Sequence, residues 1–195
     1  MNVVIDGRWI FPEISGIGNY TRQLIRELIQ IDTANRYTVL FNDTTVARRT
    51  IRETDLESAP NARAIHVDYG VFSPWNQYFL PSLLRRQQCD IYHSTNYMIP
   101  LRLGRRNRAP IGCMATIHDV IPLLFPDHAP RSRKTRLFPL FRLLMRLVGR
   151  QADTILTVSR ASREDIVRTL GLDTDADKVC VVHNGVAPRY QPPAQ

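Results

Sequence analysis

Seven short apolar runs, separated by stretches with helical periodicity, constrain the fold of this 195-residue chain more than any other feature. Runs such as Val3–Ile5 and Tyr37–Phe41 have the length and composition of buried strands. The other five lie at 64–67, 90–93, 114–117, 154–158 and 179–182. Strands that alternate with helices predict an α/β fold with a doubly wound, mostly parallel sheet and helices on both faces.

The helical stretches are recognised by their apolar spacing. In the first, four residues recur at i, i+4, i+8 and i+11 and predict one buried face: Tyr20, Leu24, Leu28 and Ile31. Leu137–Val148 is apolar with interleaved arginines and predicts a second helix, and Gly171 predicts the end of a third. Three non-regular loops are expected on the ligand side of the sheet, at 7–15, at 96–110 with four arginines, and at 122–130 with three prolines that exclude a regular helix. The four arginines are Arg102, Arg105, Arg106 and Arg108.

The charge of the chain is unusual for an ordinary globular composition. Its net charge is +8, and of 26 basic residues only Lys134 and Lys178 are lysines. Arginine suits bidentate contact with phosphate or carboxylate, which favours an anionic partner. The alternative is that coding bias enriches arginine with no function attached. In either case the net charge bears on association rather than on fold.

The cysteines and the N-terminus indicate a cytoplasmic protein. Cys89, Cys113 and Cys180 are odd in number and far apart, which favours buried thiols in a reducing compartment. The N-terminal residues lack the basic and apolar regions of a signal peptide, and no run approaches the roughly 18 apolar residues of a membrane span. His66, His93 and His128 show no metal-ligand spacing, so no metal site is expected.

A Gly-x-Gly, Gly16–Gly18, precedes the first helix and is a candidate phosphate-binding element. Glycines let the backbone approach a phosphate, and the helix N-terminus offers unpaired N–H groups. The alternative is a plain helix start capped by Ser15 or Asn19. A dinucleotide fingerprint would have a third glycine where Thr21 stands, although Asp43 is a candidate ribose partner.

The pair His118-Asp119 follows a predicted strand and is the candidate catalytic element. A neutral imidazole can hydrogen-bond a sugar hydroxyl or exchange a proton, and the adjacent carboxylate can support it. The alternative is an ordinary loop histidine, with Asp119 serving a turn.

Two further strand ends carry candidate residues. Ser159 follows the sixth predicted strand, where helix capping is the alternative to a functional role, and no base stands beside it to make it a nucleophile. Asn184 and Gly185 follow the seventh, where a left-handed turn is the alternative.

Arg142, Arg146 and Arg150 share one face of the second predicted helix. A basic amphipathic helix can lie on an anionic membrane surface. The alternative is a core helix with solvated arginines, because the apolar surface of this helix is wide.

Taken in order, six segments resemble the N-terminal domain of the retaining glycosyltransferases of family 4, which have the GT-B fold. The segments lie at 6–8, 15–22, 90–94, 117–122, 156–162 and 181–186, and the resemblance covers residues 1–190. The resemblance is strongest to mannosyltransferase-like enzymes that build polysaccharides or glycolipids. It implies a Rossmann-like, acceptor-binding half of a GT-B enzyme, with residues 191–195 as a linker or terminal segment.

The resemblance also implies roles for individual residues. Gly16 and Gly18 would approach the donor diphosphate, His118 would contact the donor sugar near the reacting carbon, and Asp119 would support it or the acceptor. Asn184 and Gly185, with Ser159, would lie towards the hinge and the donor cleft. The reaction would move a hexose, mannose being one candidate, from a nucleotide-diphosphate sugar to a glycan or lipid-linked acceptor. Neither a metal, another cofactor nor a protein nucleophile is expected.

The resemblance places most phosphate-binding groups in a C-terminal donor domain that this sequence does not contain. We therefore expect little or no transferase activity from the chain alone, because a departing diphosphate needs preorganised positive charge. The enzyme would work in the cytoplasm, with peripheral attachment to the inner face of the cytoplasmic membrane as a further expectation. The alternatives are a nucleotide-binding regulator or oxidoreductase and a basic membrane or nucleic-acid module; dispersed arginines argue against nucleic acid.

Overall fold

A single sheet of seven parallel strands forms the centre of the computed structural model, which describes residues 1–13, 15–101, 103, 111–126 and 138–186. The strands stand in the order β3-β2-β1-β4-β5-β6-β7, and every neighbouring pair is parallel. Their bounds are β1 Asn2–Asp6, β2 Arg36–Phe41, β3 Ala62–His66, β4 Ile91–Ser94, β5 Gly112–Thr116, β6 Thr154–Thr157 and β7 Val179–Val181. This arrangement confirms the predicted fold class and all seven strands.

Six α-helices are described: α1 Gly16–Ile31, α2 Thr44–Thr54, α3 Trp75–Arg86, α4 Ile121–Leu124, α5 Phe138–Gln151 and α6 Arg160–Leu170. Short 3₁₀ helices lie at Gly7–Trp9, Leu56–Ser58 and Asp173–Lys178. Helix α6 ends as predicted, because Gly171 takes the left-handed conformation, with φ 67°, that closes the last turn.

The helices divide between the two faces of the sheet. Ile25 of α1 and Val46 of α2 pack with Ile5 of β1 on one face. The larger cluster on the other face joins strand residues with residues of three helices. The helix residues are Leu80 and Leu84 of α3, Met145 and Val148 of α5, and Ile166 and Leu170 of α6. Alternation along each strand produces this division, since neighbours such as Val4 and Ile5 point to opposite faces.

The predicted buried face of α1 was wrong by one position. The residues that are buried are Gly18, Thr21, Ile25 and Ile29, whereas Leu24 and Leu28 are partly buried and Ile31 is 75% exposed. The apolar residues of α1 cover a wide arc, so spacing alone did not identify the line that meets the sheet. Tyr20 instead turns towards the end of β5.

The three predicted loops differ from expectation where the structure describes them. Residues 7–9 form a buried 3₁₀ turn rather than an irregular loop. Pro122 lies inside the short helix α4, which corrects the exclusion of helix there; proline is tolerated in a first helical turn, where its missing N–H needs no partner. Arg102, Arg105, Arg106 and Arg108 lie outside the described residues, as do 127–137 and 187–195.

The prediction of buried cysteine thiols is confirmed for two of three residues. All three thiols are free, and burial raises the pKa of Cys89 and of Cys113 to about 12. Cys180 is exposed, because its neighbour Val179 points into the core from the edge strand β7 and alternation turns Cys180 the other way.

Among the described residues no helix combines the length and the apolar character that a membrane crossing requires.

Candidate functional site at the strand ends

The order of the strands reverses between β1 and β4, because β2 and β3 follow on one side of β1 and β5 to β7 on the other side of β4. In open parallel sheets the loops at such a reversal separate and leave a crevice outside the carboxyl ends of the strands. Here that edge carries the start of α1 and the residues after β4 and β5. The predicted phosphate-binding and catalytic elements both lie there.

The N-terminus of α1 is capped by Ser15. Its hydroxyl accepts the N–H of Gly18 at 3.0 Å, and its carbonyl accepts that of Asn19 at 2.9 Å. No described residue accepts the N–H groups of Gly16 or Ile17, so these two remain for an anion at the helix start. The capping alternative is therefore correct for Ser15, and it leaves the phosphate role of this segment open.

The two glycines of this segment have different surroundings. A Cβ on Gly18 would lie 3.1 Å from the Ser15 Oγ and 3.6 Å from the Ile10 Cα, so Gly18 lets the cap close against the first loop. A Cβ on Gly16 would meet nothing within 4 Å. Gly16 therefore faces open space, where a ligand can approach the backbone.

His118 lies beside the start of α1. Its ring meets the ring of Tyr20 edge to face, with centroids 4.8 Å apart. Its Nε2 lies 3.2 Å from the Thr95 carbonyl oxygen, which can only accept, so Nε2 carries the proton and Nδ1 is an acceptor. Burial lowers the pKa of His118, against the smaller opposing effects of the Thr95 carbonyl and the Asp119 charge. The imidazole is therefore neutral near neutral pH.

Asp119 does not hold the imidazole through a hydrogen bond. Its Oδ1 accepts the N–H of Ile121 at 3.0 Å, and its side chain is exposed. This geometry matches the turn alternative. A role for Asp119 towards an acceptor stays a prediction.

Hydroxyl groups connect the strand ends beneath the opening. The Thr21 Oγ1 lies 2.8 Å from the Thr95 Oγ1, which donates to the Asp6 carbonyl at 3.2 Å. The Thr116 Oγ1 lies 2.9 Å from the His93 Nε2 and 3.4 Å from the Tyr20 hydroxyl. These contacts fix α1 against β1, β4 and β5 and so hold the helix start near His118.

A buried ion pair below this layer was not predicted from the sequence as a functional element. Asp6 and Arg8 are joined by Oδ2 to Nη2 at 2.6 Å and Oδ1 to Nε at 2.8 Å, and both side chains are fully buried. Tyr92 donates its hydroxyl to Asp6, and Arg8 donates to Asn76 at 2.8 Å and to the Tyr69 carbonyl at 3.2 Å. Burial alone would lower the pKa of Arg8, but the Asp6 charge and hydrogen bonds raise it. The sequence did contain a signal for this pair, because Asp6 and Arg8 stand two residues apart at the end of a buried strand.

The remaining candidates follow other strands of the sheet. Ser159 caps α6, accepting the Ser162 N–H at 3.0 Å, and Asn184 and Gly185 are exposed after β7. These residues follow the two strands beyond β5, on the side away from the α1 start. Asp43, the candidate ribose partner, instead caps α2 by accepting the N–H groups of Thr45 and Val46.

Arg142, Arg146 and Arg150 are exposed on α5, while Met145 and Val148 are buried beneath them. The core-helix alternative is thus confirmed for the inner face. The outer face also exposes Leu140 at 59% and Leu143 at 54%.

Among the residues that the structure describes, no group of three metal-binding side chains is present.

Comparison with one solved structure agrees with this fold. A glycosyltransferase from Rickettsia africae ESF-5 superimposes with a TM-score of 0.52 at 12% identity, covering 98% of this chain and 46% of its own. The chain thus spans about half the length of that enzyme. An acetoin dehydrogenase from Enterobacter cloacae gives a TM-score of 0.42 at 15% identity, with 97% of this chain and 98% of that chain covered. No curated protein sequence matches.

The family assignment follows from the sequence itself. The family model described as Glycosyltransferase Family 4 matches residues 14–190, which is most of the chain and includes both strand-end elements. The chain belongs to glycosyltransferase family 4.

Proposed function

We propose that this chain is the acceptor-binding half of a retaining glycosyltransferase that moves a hexose, with mannose as one candidate, from a nucleotide-diphosphate sugar to a glycan or lipid-linked acceptor. The observation that carries the proposal is the approach of the α1 start to His118, whose ring lies 4.8 Å from that of Tyr20. A phosphate-accepting helix end and a neutral imidazole then share one opening. Glycosyltransferase family membership supports the same chemistry.

In this proposal the donor diphosphate lies against the N–H groups of Gly16 and Ile17, which no described residue accepts and where the positive end of the α1 dipole favours negative charge. The protonated Nε2 of His118 is held by the Thr95 carbonyl, so Nδ1 can accept a hydrogen bond from a sugar hydroxyl. The hydroxyl layer below fixes these groups before substrate binds, which reduces the reorganisation that the reaction requires. Leaving-group charge would be met mainly by a second, donor-binding domain, without a metal or other cofactor.

The test is a nuclear magnetic resonance titration of the chain with a nucleoside diphosphate, followed by turnover measurements in the protein that carries a second domain. We expect shifts of the Gly16 and Ile17 amides and of the His118 ring. His118→Ala should reduce turnover by about 100-fold or more and leave the unfolding transition in place. His66→Ala is the matched control, since His66 is more than a third exposed and pairs with Asp68. Equal turnover in the two variants would remove the assignment to His118.

A second function, attachment to an anionic membrane surface, is favoured by the outer face of α5. Leu140 and Leu143 are exposed beside Arg142 and Arg146, a combination typical of helices that lie in a membrane interface. We propose that this face attaches the enzyme to the inner face of the cytoplasmic membrane, near lipid-linked acceptors. Sedimentation with phosphatidylglycerol vesicles should be lost in Arg142→Glu/Arg146→Glu. Retention in Arg48→Glu/Arg52→Glu, a matched change on α2, is the control.

A further inference from the structure

The edge of the sheet opposite the candidate active site contains a cavity of about 450 Å³. It lies where β1, β2 and β3 begin and where α3 ends. Its polar lining includes Arg36, Arg63, Arg86, Asn61, Gln87 and Gln88. A cavity of this size can hold a small organic molecule as well as a simple ion.

The register of the sheet explains why arginines converge there. Arg36 and Thr38 lie two residues apart on β2 and therefore share a face, and Arg63 stands opposite Thr38 on β3. Farther along this face, Leu40 and Ile65 pack in the core beneath α3. The face thus changes from apolar to basic towards the start of the strands.

Hydrogen bonds hold one of these arginines in place without neutralising it. Arg63 donates its Nε to the Thr38 hydroxyl at 3.2 Å and its Nη2 to the Gln87 side-chain oxygen at 2.5 Å. Both acceptors are neutral. The Arg63 guanidinium is therefore oriented at the cavity with its charge intact.

The described carboxylates near the cavity are not paired with its arginines. Within the described residues, no carboxylate pairs with Arg36, Arg63 or Arg86 within 4.0 Å. Asp90 accepts the backbone N–H of Asn2 at 2.7 Å, and Asp32 is bound by neighbours that include the Tyr37 hydroxyl. The end of α3 adds a partial charge of about −0.5 to these two carboxylates, so the arginines would bind an anion through donated hydrogen bonds as well as through charge.

We propose that this cavity is a second anion site, which binds a phosphorylated ligand at the edge of the sheet remote from the candidate active site. Guanidinium groups form bidentate hydrogen bonds with phosphate oxygens, and the side-chain amide of Gln88 supplies further donors. The phosphate can belong to a soluble phosphorylated compound or to the headgroup of an anionic lipid. The site does not depend on the proposed transferase function.

The test uses pyrophosphate as the probe and the whole chain as the protein. Calorimetry gives the affinity, and amide shifts in nuclear magnetic resonance spectra locate the binding. We expect shifts at Thr38, Asn61 and Gln87, and an affinity at least about tenfold weaker in Arg36→Gln/Arg86→Gln. These two arginines are exposed and have no ion-pair partner among the described carboxylates, so the variant should fold.

Arg48→Gln/Arg52→Gln removes the same charge from exposed positions on α2 and is the matched control, in which the affinity should change by less than about twofold. Equal weakening in both variants, shifts confined to residues 16–18, or no binding at millimolar pyrophosphate would each overturn the proposal.

Vesicle flotation distinguishes the two sources of phosphate. In Arg142→Glu/Arg146→Glu, which removes the proposed α5 attachment, remaining binding to phosphatidylglycerol vesicles that is abolished by adding Arg36→Gln/Arg86→Gln would identify a lipid headgroup as the ligand. Weakened pyrophosphate binding in Arg36→Gln/Arg86→Gln, without any such vesicle binding, would identify a soluble phosphorylated compound.

Discussion

Asp6 is the residue on which the position of the first loop depends. Its carboxylate accepts from Arg8 and Tyr92, and its carbonyl accepts from Thr95, so one residue at the end of β1 joins the 3₁₀ turn to β4 and the segment after it. Arg8 then continues the network to Asn76 of α3. Because this pair is fully buried, its loss should displace the loop that leads to Gly16.

Asp6→Asn tests this role at the residue scale. The substitution leaves the Arg8 charge buried without its counter-ion, so the free energy of unfolding should fall by about 3–5 kcal/mol. Urea denaturation measures this change. Glu27→Gln, at the exposed pair with Arg26, is the control and should cost less than about 1 kcal/mol.

The double variant Asp6→Asn/Arg8→Met should recover part of the lost stability, because it removes the unpaired charge. If Asp6→Asn lowers the free energy of unfolding no more than Glu27→Gln does, the buried pair does not stabilise the fold as predicted.

At the scale of elements, strand ends were predictable and side-chain directions were not. The apolar runs predicted all seven strands because a parallel strand is buried on both faces, so nearly all of its residues are apolar. They therefore also placed His118 and Gly16 at one edge. The buried face of α1 was missed by one residue, since Ile25 and Leu24 are equally apolar and only tertiary packing distinguishes them. The buried Asp6–Arg8 pair was missed because charged residues near a strand end usually indicate exposure.

His93, which lies on β4 and contacts Thr116 of β5, should make the free energy of unfolding depend on pH. Burial lowers the pKa of His93 from 6.5 to about 4, with the Asp6 charge opposing and His118 adding to this shift. Between these two pKa values the unfolded chain binds a proton at His93 and the folded chain does not. The contribution of His93 to the free energy of unfolding is therefore fully present above about pH 6.5 and is lost as the pH falls towards 4. From about pH 7 to about pH 5 this group should account for a loss of about 2 kcal/mol.

Urea denaturation of the wild type and of His93→Gln at these two pH values measures the effect. The variant keeps a hydrogen-bonding group near Thr116 and no longer titrates there. The wild type should lose about 2 kcal/mol more than the variant. Since His118 and the carboxylates remain in both proteins, their contributions cancel, and equal losses would refute the assignment of this pH dependence to His93.

At the scale of the whole molecule, the candidate active site lies at one edge of a single sheet. Among the residues that the structure describes, the groups gathered there are a helix N-terminus and a neutral imidazole, neither of which carries a full positive charge. A nucleotide diphosphate leaving group develops more negative charge than a helix dipole of about +0.5 can stabilise. We therefore predict that the 195-residue chain binds a nucleoside diphosphate but transfers no sugar at a measurable rate.

A transfer assay with labelled nucleotide sugars, run beside the titration at Gly16, measures both parts of this prediction. The domain that completes the cleft would supply cationic groups over the diphosphate and should restore turnover when joined to the chain, while the shifts at Gly16 and Ile17 persist. His118→Ala should then reduce the restored turnover by about 100-fold or more, which separates cleft completion from catalysis by the added domain alone. Turnover by the isolated chain would show instead that the helix start and the imidazole suffice, and that the second domain mainly contributes donor affinity.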